Sequence, residues 1–348
     1  MKHAQNSPST EFVGTGTDPA IAIDVRGLRK NYGGPPGSAG LNGIDLQIPT
    51  GTVHGLLGPN GAGKTTAVRI LTTLLRMDSG SASVAGHDVR CSGRQVRRHI
   101  GLVGQAAAVD DVLTGRQNLL LVGRLNHLSG AAAAHRADEL LERFSLTEAG
   151  ARKLSTYSGG MRRRLDLAAA LVVAPQVLFV DEPTTGLDPQ GRRAVWSAIR
   201  DLVAAGTTVL LTTQYLEEAD QLADQISVLH SGVIVADGTP DQLKAIIGGD
   251  WLDVSVANPS ELAALRTLAN RFAAGEVQVD ENTLQVSIPV SDRTRALVGL
   301  SAALAEAALE PLDLTVRRPT LDEVFLQLTG DGAAVRRPNT VAEPEVQA

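Results

Sequence analysis

A glycine-rich run of eight residues holds the side chains of this chain that are best suited to bind phosphate. Glycines in such a run let successive backbone N–H groups point at phosphate oxygens. A lysine then reaches the terminal phosphates, and the hydroxyl after it ligates Mg²⁺. The sequence therefore predicts a nucleoside triphosphate site. Its residues are Gly58, Pro59, Asn60, Gly61, Ala62, Gly63, Lys64 and Thr65, with Thr66 next along the chain.

The segments on both sides of this run have the pattern that a phosphate-binding loop requires. Residues 52–57 are apolar, as in a buried strand, and residues 64–75 carry apolar side chains at helical spacing. A helix that starts at the loop also points its positive dipole end at the phosphates. The alternative is an ordinary glycine-rich turn before a helix, and the strand–loop–helix context disfavours it.

A second apolar segment, residues 177–180, ends in the two carboxylates Asp181 and Glu182. Asp181 lies at the predicted strand end, where it would hold Mg²⁺ directly or through water. Glu182 lies one peptide further, outside the first coordination shell, so it could deprotonate the attacking water. The alternative is that the two acids cap a helix.

A further anion-binding helix start is predicted at Ser158, Gly159 and Gly160, which precede a helical run over residues 162–172. Ser158 suits an N-cap, and the two glycines allow an anion to approach the positive end of the helix. Because the chain already has one phosphate loop, this second helix start predicts a composite site that another subunit completes.

These motifs together resemble the nucleotide-binding domain of an ABC transporter, over about residues 21–246. The resemblance implies an ATPase, with ATP and Mg²⁺ as cofactors and a homodimer closed around two ATP molecules. It implies that Tyr32 stacks on adenine and that Gln105 senses Mg²⁺ and the attacking water. It also implies that Asp188 lies in a loop that crosses the dimer interface.

The residues expected to hold Mg²⁺ are Thr65, Gln105 and Asp181, and those expected to act in catalysis are Lys64, Glu182 and Gln214. Gln214 occupies the position of the family's switch histidine. An amide can donate a hydrogen bond to the γ-phosphate, but it cannot carry the charge of an imidazolium. We therefore expect ATP binding to survive, and hydrolysis to be slower or to depend wholly on Glu182.

Gln214, together with residues 157–164 and 318–326, resembles a narrower group, the daunorubicin/doxorubicin-resistance type of ATP-binding subunit. This resemblance implies efflux of a hydrophobic compound through a separately encoded permease, at the cytoplasmic face of a bacterial membrane. The alternative is a soluble ABC-type ATPase that acts on ribosomes or DNA. Such proteins carry two nucleotide domains or a long coiled-coil insertion, and neither is present in this sequence.

Composition narrows the choice of partners. A formal net charge of −6 argues against a nucleic-acid-binding surface. Cys91 is the only cysteine, which excludes an internal disulfide and a cysteine-rich metal site. The longest apolar stretch, residues 167–180, is interrupted by Pro175, so we expect no membrane-spanning segment and a permease on another chain.

The alternation of predicted strands and helices indicates an α/β domain over residues 21–247, built on a mixed, mainly parallel sheet. The family resemblance adds a helical subdomain. Residues 250–329 have the order β-α-β-β-α-β of a small α+β ferredoxin-like domain. The polar segments 1–20 and 330–348 are predicted to be disordered tails.

The sequence contains two apolar surfaces whose contact partners the motifs do not specify. Residues 113–128 form a stripe that either contacts the permease or belongs to the core of the helical subdomain. The last predicted helix places four apolar side chains on one face, which must be buried against the ferredoxin-like sheet or against a second subunit. We expect the second subunit. The four residues are Leu321, Val324, Phe325 and Leu328.

Overall fold

The computed structural model describes residues 20–33, 40–104, 109–246 and 249–329. The two predicted tails, apart from Ala20, and Gln105 lie outside the described residues. The described strands are β1 (Ile21–Asn31), β2 (Gly40–Pro49), β3 (Val53–Leu57), β4 (Ser79–Val84), β5 (His87–Asp88), β6 (Ile100–Val103), β7 (Val177–Asp181), β8 (Thr208–Thr213), β9 (Gln225–His230), β10 (Val233–Gly238), β11 (Trp251–Ser255), β12 (Gln278–Asp280), β13 (Gln285–Pro289) and β14 (Asp313–Arg317). The described helices are α1 (Lys64–Leu71), α2 (Gly93–His99), α3 (Gly115–Leu125), α4 (Gly130–Arg143), α5 (Gly159–Ala170), α6 (Pro189–Ala204), α7 (Leu216–Leu222), α8 (Pro240–Ala245), α9 (Pro259–Ala269), α10 (Arg293–Glu306) and α11 (Leu321–Thr329).

A six-stranded sheet in the order β10-β9-β3-β8-β7-β6 forms the centre of the nucleotide-binding region. Its strands are parallel except β10, which is antiparallel to β9. Every residue of β3, β7 and β8 is buried, as expected for apolar strands covered on both faces. The mixed, mainly parallel sheet is therefore confirmed. Because parallel strands end at the same edge, the loops after β3, β7 and β8 meet there.

A second sheet, in the order β2-β1-β4-β5, is antiparallel throughout. The sequence pattern did not separate it from the parallel sheet. Its buried residues share one hydrophobic cluster with α1 and with inward-facing residues of the central sheet. The helix that follows the phosphate loop is thus packed on more than one side, and this fixes the position of the loop.

Two predicted helix boundaries were wrong by a turn. The helix predicted over residues 64–75 ends at Leu71, and Thr73 has a φ of 65° that no right-handed helix accommodates. The helix predicted from residue 162 begins at Gly159, because Ser158 already caps it. The second difference brings both Gly159 and Gly160 into the first turn of α5.

Helices α3, α4 and α5 form a helical layer whose buried residues join one large hydrophobic cluster with the central sheet. The apolar stripe over residues 113–128 is buried in part and exposed in part, so it agrees in part with each of its two interpretations. Leu119 is fully buried in that cluster, whereas Leu121 and Leu125 are 45% and 69% exposed. One face of α3 therefore belongs to the core and another is open to solvent.

The C-terminal sheet has the order β12-β13-β11-β14 and is antiparallel throughout. With α9 and α10 it follows the chain order β-α-β-β-α-β, and it encloses a hydrophobic cluster of its own. That residues 250–329 form a separate domain stays a prediction.

The apolar face of α11 packs within its own chain, with Leu321 and Val324 buried and Phe325 and Leu328 partly buried. A contact of the partly buried residues with a second subunit stays a prediction. Leu321 and Val324 are 3% and 1% exposed and belong to the same cluster as Leu222 and Leu243. The helix packs against α7 and α8 of the nucleotide-binding region. Leu321 and Val324 belong to the hydrophobic cluster of that region, and Glu323 on the same helix bonds Arg317 of β14. Only three residues separate β14 from α11, so the chain returns directly onto the apolar side chains of α7 and α8.

Candidate active site

The phosphate loop connects β3 to α1 in a conformation that excludes side chains at two of its glycines. A Cβ on Gly58 would lie 2.3 Å from the carbonyl oxygen of Leu229. Gly63 has a φ of 115°, and a Cβ there would lie 2.7 Å from the carbonyl oxygen of Gly40. Glycine is required at both positions because the backbone passes so close to its neighbours.

The ammonium group of Lys64 lies inside this loop. Its Nζ donates to the carbonyl oxygens of Gly58 at 2.7 Å and Pro59 at 3.1 Å, and it lies 3.8 Å from Glu182 Oε1. Burial lowers the pKa of Lys64, while the charges of Glu182 and Asp181 act to raise it. The loop therefore holds a cation between its own carbonyls and the two acids at the end of β7.

Asp181 joins the phosphate loop to the neighbouring strand β8. Its carboxylate accepts a hydrogen bond from Thr65 Oγ1 at 3.3 Å and another from Thr212 Oγ1. The structure thus brings together Thr65 and Asp181, which are two of the three predicted Mg²⁺ ligands. Hydroxyl and carboxylate oxygens are ligands that Mg²⁺ accepts, so this donor set fits the ion.

Glu182, the first residue after β7, has a left-handed backbone conformation with a φ of 49°. This costs about 1–2 kcal/mol for a residue with a Cβ, and such residues cluster at functional sites. Its N–H donates to the carbonyl of Thr212 at 3.0 Å. The carboxylates of Asp181 and Glu182 thus face the phosphate loop, the side chains at the start of α1 and the end of β8.

A pocket of about 160 Å³ lies beside the phosphate loop. The lining combines backbone N–H groups at the start of α1, one buried ammonium group and one carboxylate, a set suited to a nucleotide's phosphates. Its lining residues are Gly40, Asn60, Gly61, Gly63, Lys64, Thr65, Thr66 and Glu182.

Tyr32 stands at the rim of this region with half of its surface exposed. Its hydroxyl lies 3.2 Å from Thr66 Oγ1, and the Nζ of Lys30 lies 5.9 Å from its ring centre. Tyr32 as a whole is 52% exposed. Its stacking on adenine stays a prediction.

Gln214 and Gly104 directly follow β8 and β6, the two strands that flank β7 in the sheet. Gln105 is outside the described residues, but Gly104 before it directly follows β6 at the same sheet edge. Gln214 follows β8 and is half-buried. The N–H of Gly58 approaches the carbonyl of Thr213 at 3.4 Å, so Gln214 lies next to the phosphate loop.

The predicted anion-binding helix start at Ser158, Gly159 and Gly160, called the signature below, lies at a second site, where α5 and α6 begin side by side. Ser158 caps α5 by accepting from the N–H of Met161 at 3.3 Å, and Asp188 caps α6 by accepting from Gly191 at 2.8 Å. A Cβ on Gly160 would lie 3.2 Å from the Cα of Gly191. The two helix starts therefore touch through glycines.

A pocket of about 600 Å³ opens at these helix starts, and Ser158, Gly159, Gly160 and Asp188 contribute to its lining. None of the residues that line the phosphate-loop pocket lines this one. The chain therefore presents two distinct surfaces with the groups that bind phosphate.

Sequence reasoning missed two residues that hold the site together. Thr212 bonds the carboxylate of Asp181, and Arg163 bonds the backbone on both sides of Glu182. The signal for Arg163 was present in the run of three arginines at 162–164, which we used only for the subfamily resemblance. Neither contact can be foreseen without the order of the strands.

Comparison with known proteins agrees with this geometry. The family model described as ABC transporter matches residues 41–185. A daunorubicin resistance ATP-binding protein of Streptomyces coeruleorubidus is 56% identical over 315 residues, which cover 90% of this chain and 98% of that protein. The chain belongs to the ABC transporter family, among its daunorubicin/doxorubicin-resistance ATP-binding proteins. This ABC protein is therefore an ATP-binding ATPase.

One further relative and one solved structure are also similar to this ABC ATPase. A doxorubicin resistance ATP-binding protein of Mycobacterium tuberculosis is 48% identical over 315 residues, covering 89% of this chain and 94% of that protein. A solved structure from Clostridium perfringens, part of an ABC transporter complex, matches with a TM-score of 0.59 and 26% identity. It covers 65% of this chain and 91% of its own. Within the part of the chain that the structure describes, no helix has the length and apolar character to cross a bilayer.

Proposed function

We propose that this ABC ATPase powers the efflux of a hydrophobic compound, a drug, an antibiotic or a lipid-like molecule, through a separately encoded membrane permease. It would act as a peripheral subunit at the cytoplasmic face of a bacterial membrane. The relatives named above are resistance proteins for daunorubicin and doxorubicin, which supports export as the direction of transport. They give no support to the alternative of a soluble ATPase that acts on ribosomes or DNA.

The proposed mechanism of ATP hydrolysis rests on one observation: Lys64, Asp181 and Glu182 lie together at one edge of the sheet. The ammonium group of Lys64 neutralises charge on the β- and γ-phosphates, and the loop carbonyls of Gly58 and Pro59 keep it in place. Thr65 and Asp181 would hold Mg²⁺, which supplies Lewis-acid charge to the phosphate oxygens when bound.

Glu182 acts as the general base that orients and deprotonates the attacking water. Its backbone is turned away from the strand direction, so its carboxylate faces the phosphate-loop pocket. Gln214, at the end of the next strand, donates an amide hydrogen bond to the γ-phosphate and carries no charge. Gln105 would complete this set from the loop after β6.

The signature pocket supports a homodimer that closes around two ATP molecules. Ser158, Gly159 and Gly160 line a surface separate from the phosphate loop of their own chain, so they serve the nucleotide of a second copy. Ser158 uses a lone pair to cap α5 and keeps its hydroxyl proton to donate to a phosphate. The positive end of the α5 dipole points at the same place.

The permease contact is proposed on the exposed face of α3 and the residue run before it. Val112, Leu121 and Leu125 are 72%, 45% and 69% exposed. Exposed apolar side chains close together on one face are typical of a protein contact.

The test compares Lys64→Ala and Glu182→Gln in the full chain, each measured for ATP binding, phosphate release and ATP-dependent dimerisation by gel filtration. Lys64→Ala should abolish tight ATP binding. Glu182→Gln should keep binding, lower turnover by about 10²–10⁴-fold and accumulate an ATP-bound dimer. Export is measured as efflux of a fluorescent anthracycline from cells that contain the permease.

The matched controls are Lys153→Ala and Glu217→Gln, at exposed side chains outside the phosphate-loop pocket. Both should keep binding, turnover and efflux. Equal loss of ATP binding in Lys64→Ala and Glu182→Gln would contradict the assigned roles. Full efflux by cells that carry Glu182→Gln would contradict the claim that hydrolysis drives export.

A further inference from the structure

Arg163 connects the signature helix to the catalytic edge of the sheet through three backbone carbonyls. From the first turns of α5, its Nε donates to Pro183 at 2.9 Å, its Nη2 to Asp181 at 3.0 Å and its Nη1 to Gly104 at 2.7 Å. The side chain is only 10% exposed. Its guanidinium therefore serves the backbone of two loops and not the solvent.

Two of these carbonyls lie on either side of Glu182. Glu182 has the left-handed φ of 49°, a conformation that persists in a residue with a Cβ only where the surroundings hold it. The fork of Arg163 bonds the carbonyls of both Asp181 and Pro183, which restrains the peptides that flank Glu182. The direction in which the Glu182 side chain leaves the sheet thus depends on Arg163.

The third carbonyl belongs to Gly104, the residue before Gln105. One side chain therefore links three parts of the ATPase: the start of α5 with its signature residues, the turn that carries Glu182, and the start of the loop after β6. The guanidinium also has Asp166 beside it, with Nη1 and Oδ2 3.6 Å apart, so the buried positive charge is compensated.

We infer that Arg163 is a positioning residue for ATP hydrolysis, which holds the carboxylate of Glu182 in place and couples that placement to the signature helix. The inference deepens the proposed function and rests on Glu182 as the base. A displacement of α5 relative to β7 is transmitted through the guanidinium to the turn at Glu182. Hydrolysis in this protein consequently responds to the position of the helical layer.

Only arginine supplies this set of bonds. Its planar group carries five N–H donors in a fixed fork, whereas a lysine carries one compact ammonium on a flexible stem. Lys at position 163 would keep the charge and part of the volume but would lose the simultaneous contacts with the three carbonyls. Arg163→Lys therefore removes the positioning of Glu182 while it keeps the positive charge at residue 163.

A control for this change is Arg136→Lys. Arg136, on α4, donates its Nη2 to the carbonyl of Leu171 at 2.8 Å, at the opposite end of the same helix α5. It is also partly buried, and it lines neither the phosphate-loop pocket nor the signature pocket. Arg136→Lys thus removes an arginine–carbonyl bond that involves α5 without touching the turn at Glu182, whereas Arg163→Lys removes the bonds that reach this turn.

The experiment measures kcat and KM for ATP, the Kd for ATP and the thermal midpoint of the full chain. For Arg163→Lys we expect kcat to fall by about 10- to 100-fold, the loss that a small misplacement of a reacting group causes, with KM and Kd within about twofold. Arg136→Lys should keep kcat within about twofold. In a Glu182→Gln background, Arg163→Lys should cause no further loss of the residual rate, because the group that it positions is gone.

The inference would be overturned by equal kcat for the two lysine variants, by a fall in kcat accompanied by equally large rises in KM and Kd, or by full additivity with Glu182→Gln. If Arg163→Lys is too unstable to assay, Arg163→Gln is measured below its thermal midpoint against the same thresholds. Normal turnover in Glu182→Gln would refute the base itself and the inference with it. An inactive Glu182→Gln beside a fully active Arg163→Lys would refute the inference alone.

Discussion

The burial of α11 within its own chain gives a measurable consequence for stability. Leu321 is 3% exposed and lies in the hydrophobic cluster that contains Leu222 and Leu243. A buried Leu→Ala change costs about 2–5 kcal/mol. Because the site lies between one short helix and the surface of α7 and α8, neighbours can close part of the cavity, so we expect the lower end, about 2–3 kcal/mol.

For a cooperative unit of this size, 1 kcal/mol corresponds to about 2–4 °C in the thermal midpoint, so Leu321→Ala should lower it by about 4–12 °C. The matched control is Leu312→Ala. Leu312 is 74% exposed just before β14, so its loss should change stability by no more than about 0.5 kcal/mol.

The assay is thermal unfolding followed by circular dichroism, without nucleotide, at several protein concentrations. Because the contact lies within one chain, the loss of stability should not depend on concentration. The capping of α11 would remain in the variant, since Thr320 and Glu323 exchange hydrogen bonds at the helix start. An unchanged midpoint together with lost dimerisation would refute the reasoning and assign this face to a second subunit.

Three further predictions concern single side chains. Gln214→Ala should lower ATP turnover, because alanine has no amide to donate to the γ-phosphate, while Gln214→His should keep or raise it; unchanged turnover in the alanine variant would exclude Gln214 from the mechanism. Gly160→Ala should weaken ATP-dependent dimerisation in gel filtration without reducing ATP binding by the monomer, because its Cβ would lie 3.2 Å from the Cα of Gly191 and push the two helix starts apart; normal dimerisation would show that the helices adjust. Burial raises the pKa of Glu218, whose Oε1 accepts a hydrogen bond from Trp196 at 3.1 Å. The contribution of Glu218 to the free energy of unfolding is therefore fully present below the ordinary pKa of 4.5 and is lost as the pH rises. Glu218→Gln should therefore gain stability relative to the natural protein as the pH rises above 4.5 in thermal unfolding, and a difference independent of pH would contradict this.

The nucleotide site could be predicted in large part because its key residues are contiguous. The phosphate loop needs glycines, a lysine and a threonine at fixed spacing between a strand and a helix, and each of these requirements acts over a few residues. The same holds for Ser158 as an N-cap and for the apolar strand that ends in Asp181. Local conformation and hydrophobic periodicity were sufficient to place these groups on their elements.

The contacts between distant segments depended on the order and direction of the strands. Thr65, Asp181 and Thr212 meet only because β8 lies between β3 and β7 and all three strands run parallel, so that their ends share one edge. The sequence pattern identifies a strand but not its neighbours in the sheet, because an apolar strand can be buried equally well beside any other apolar strand. For the same reason the antiparallel sheet of β1, β2, β4 and β5 was not foreseen.

By itself, the amino-acid sequence determined the phosphate loop, the two acids after β7, the signature helix start and the family, because all of these are properties of short continuous segments. Only the tertiary structure decided where the apolar face of α11 is buried and which carbonyls Arg163 holds. Burial of an apolar face is favourable against any apolar surface, so its pattern does not specify the partner. A guanidinium likewise bonds whichever carbonyls the fold brings within reach, and that choice belongs to the packing of α5 against the sheet.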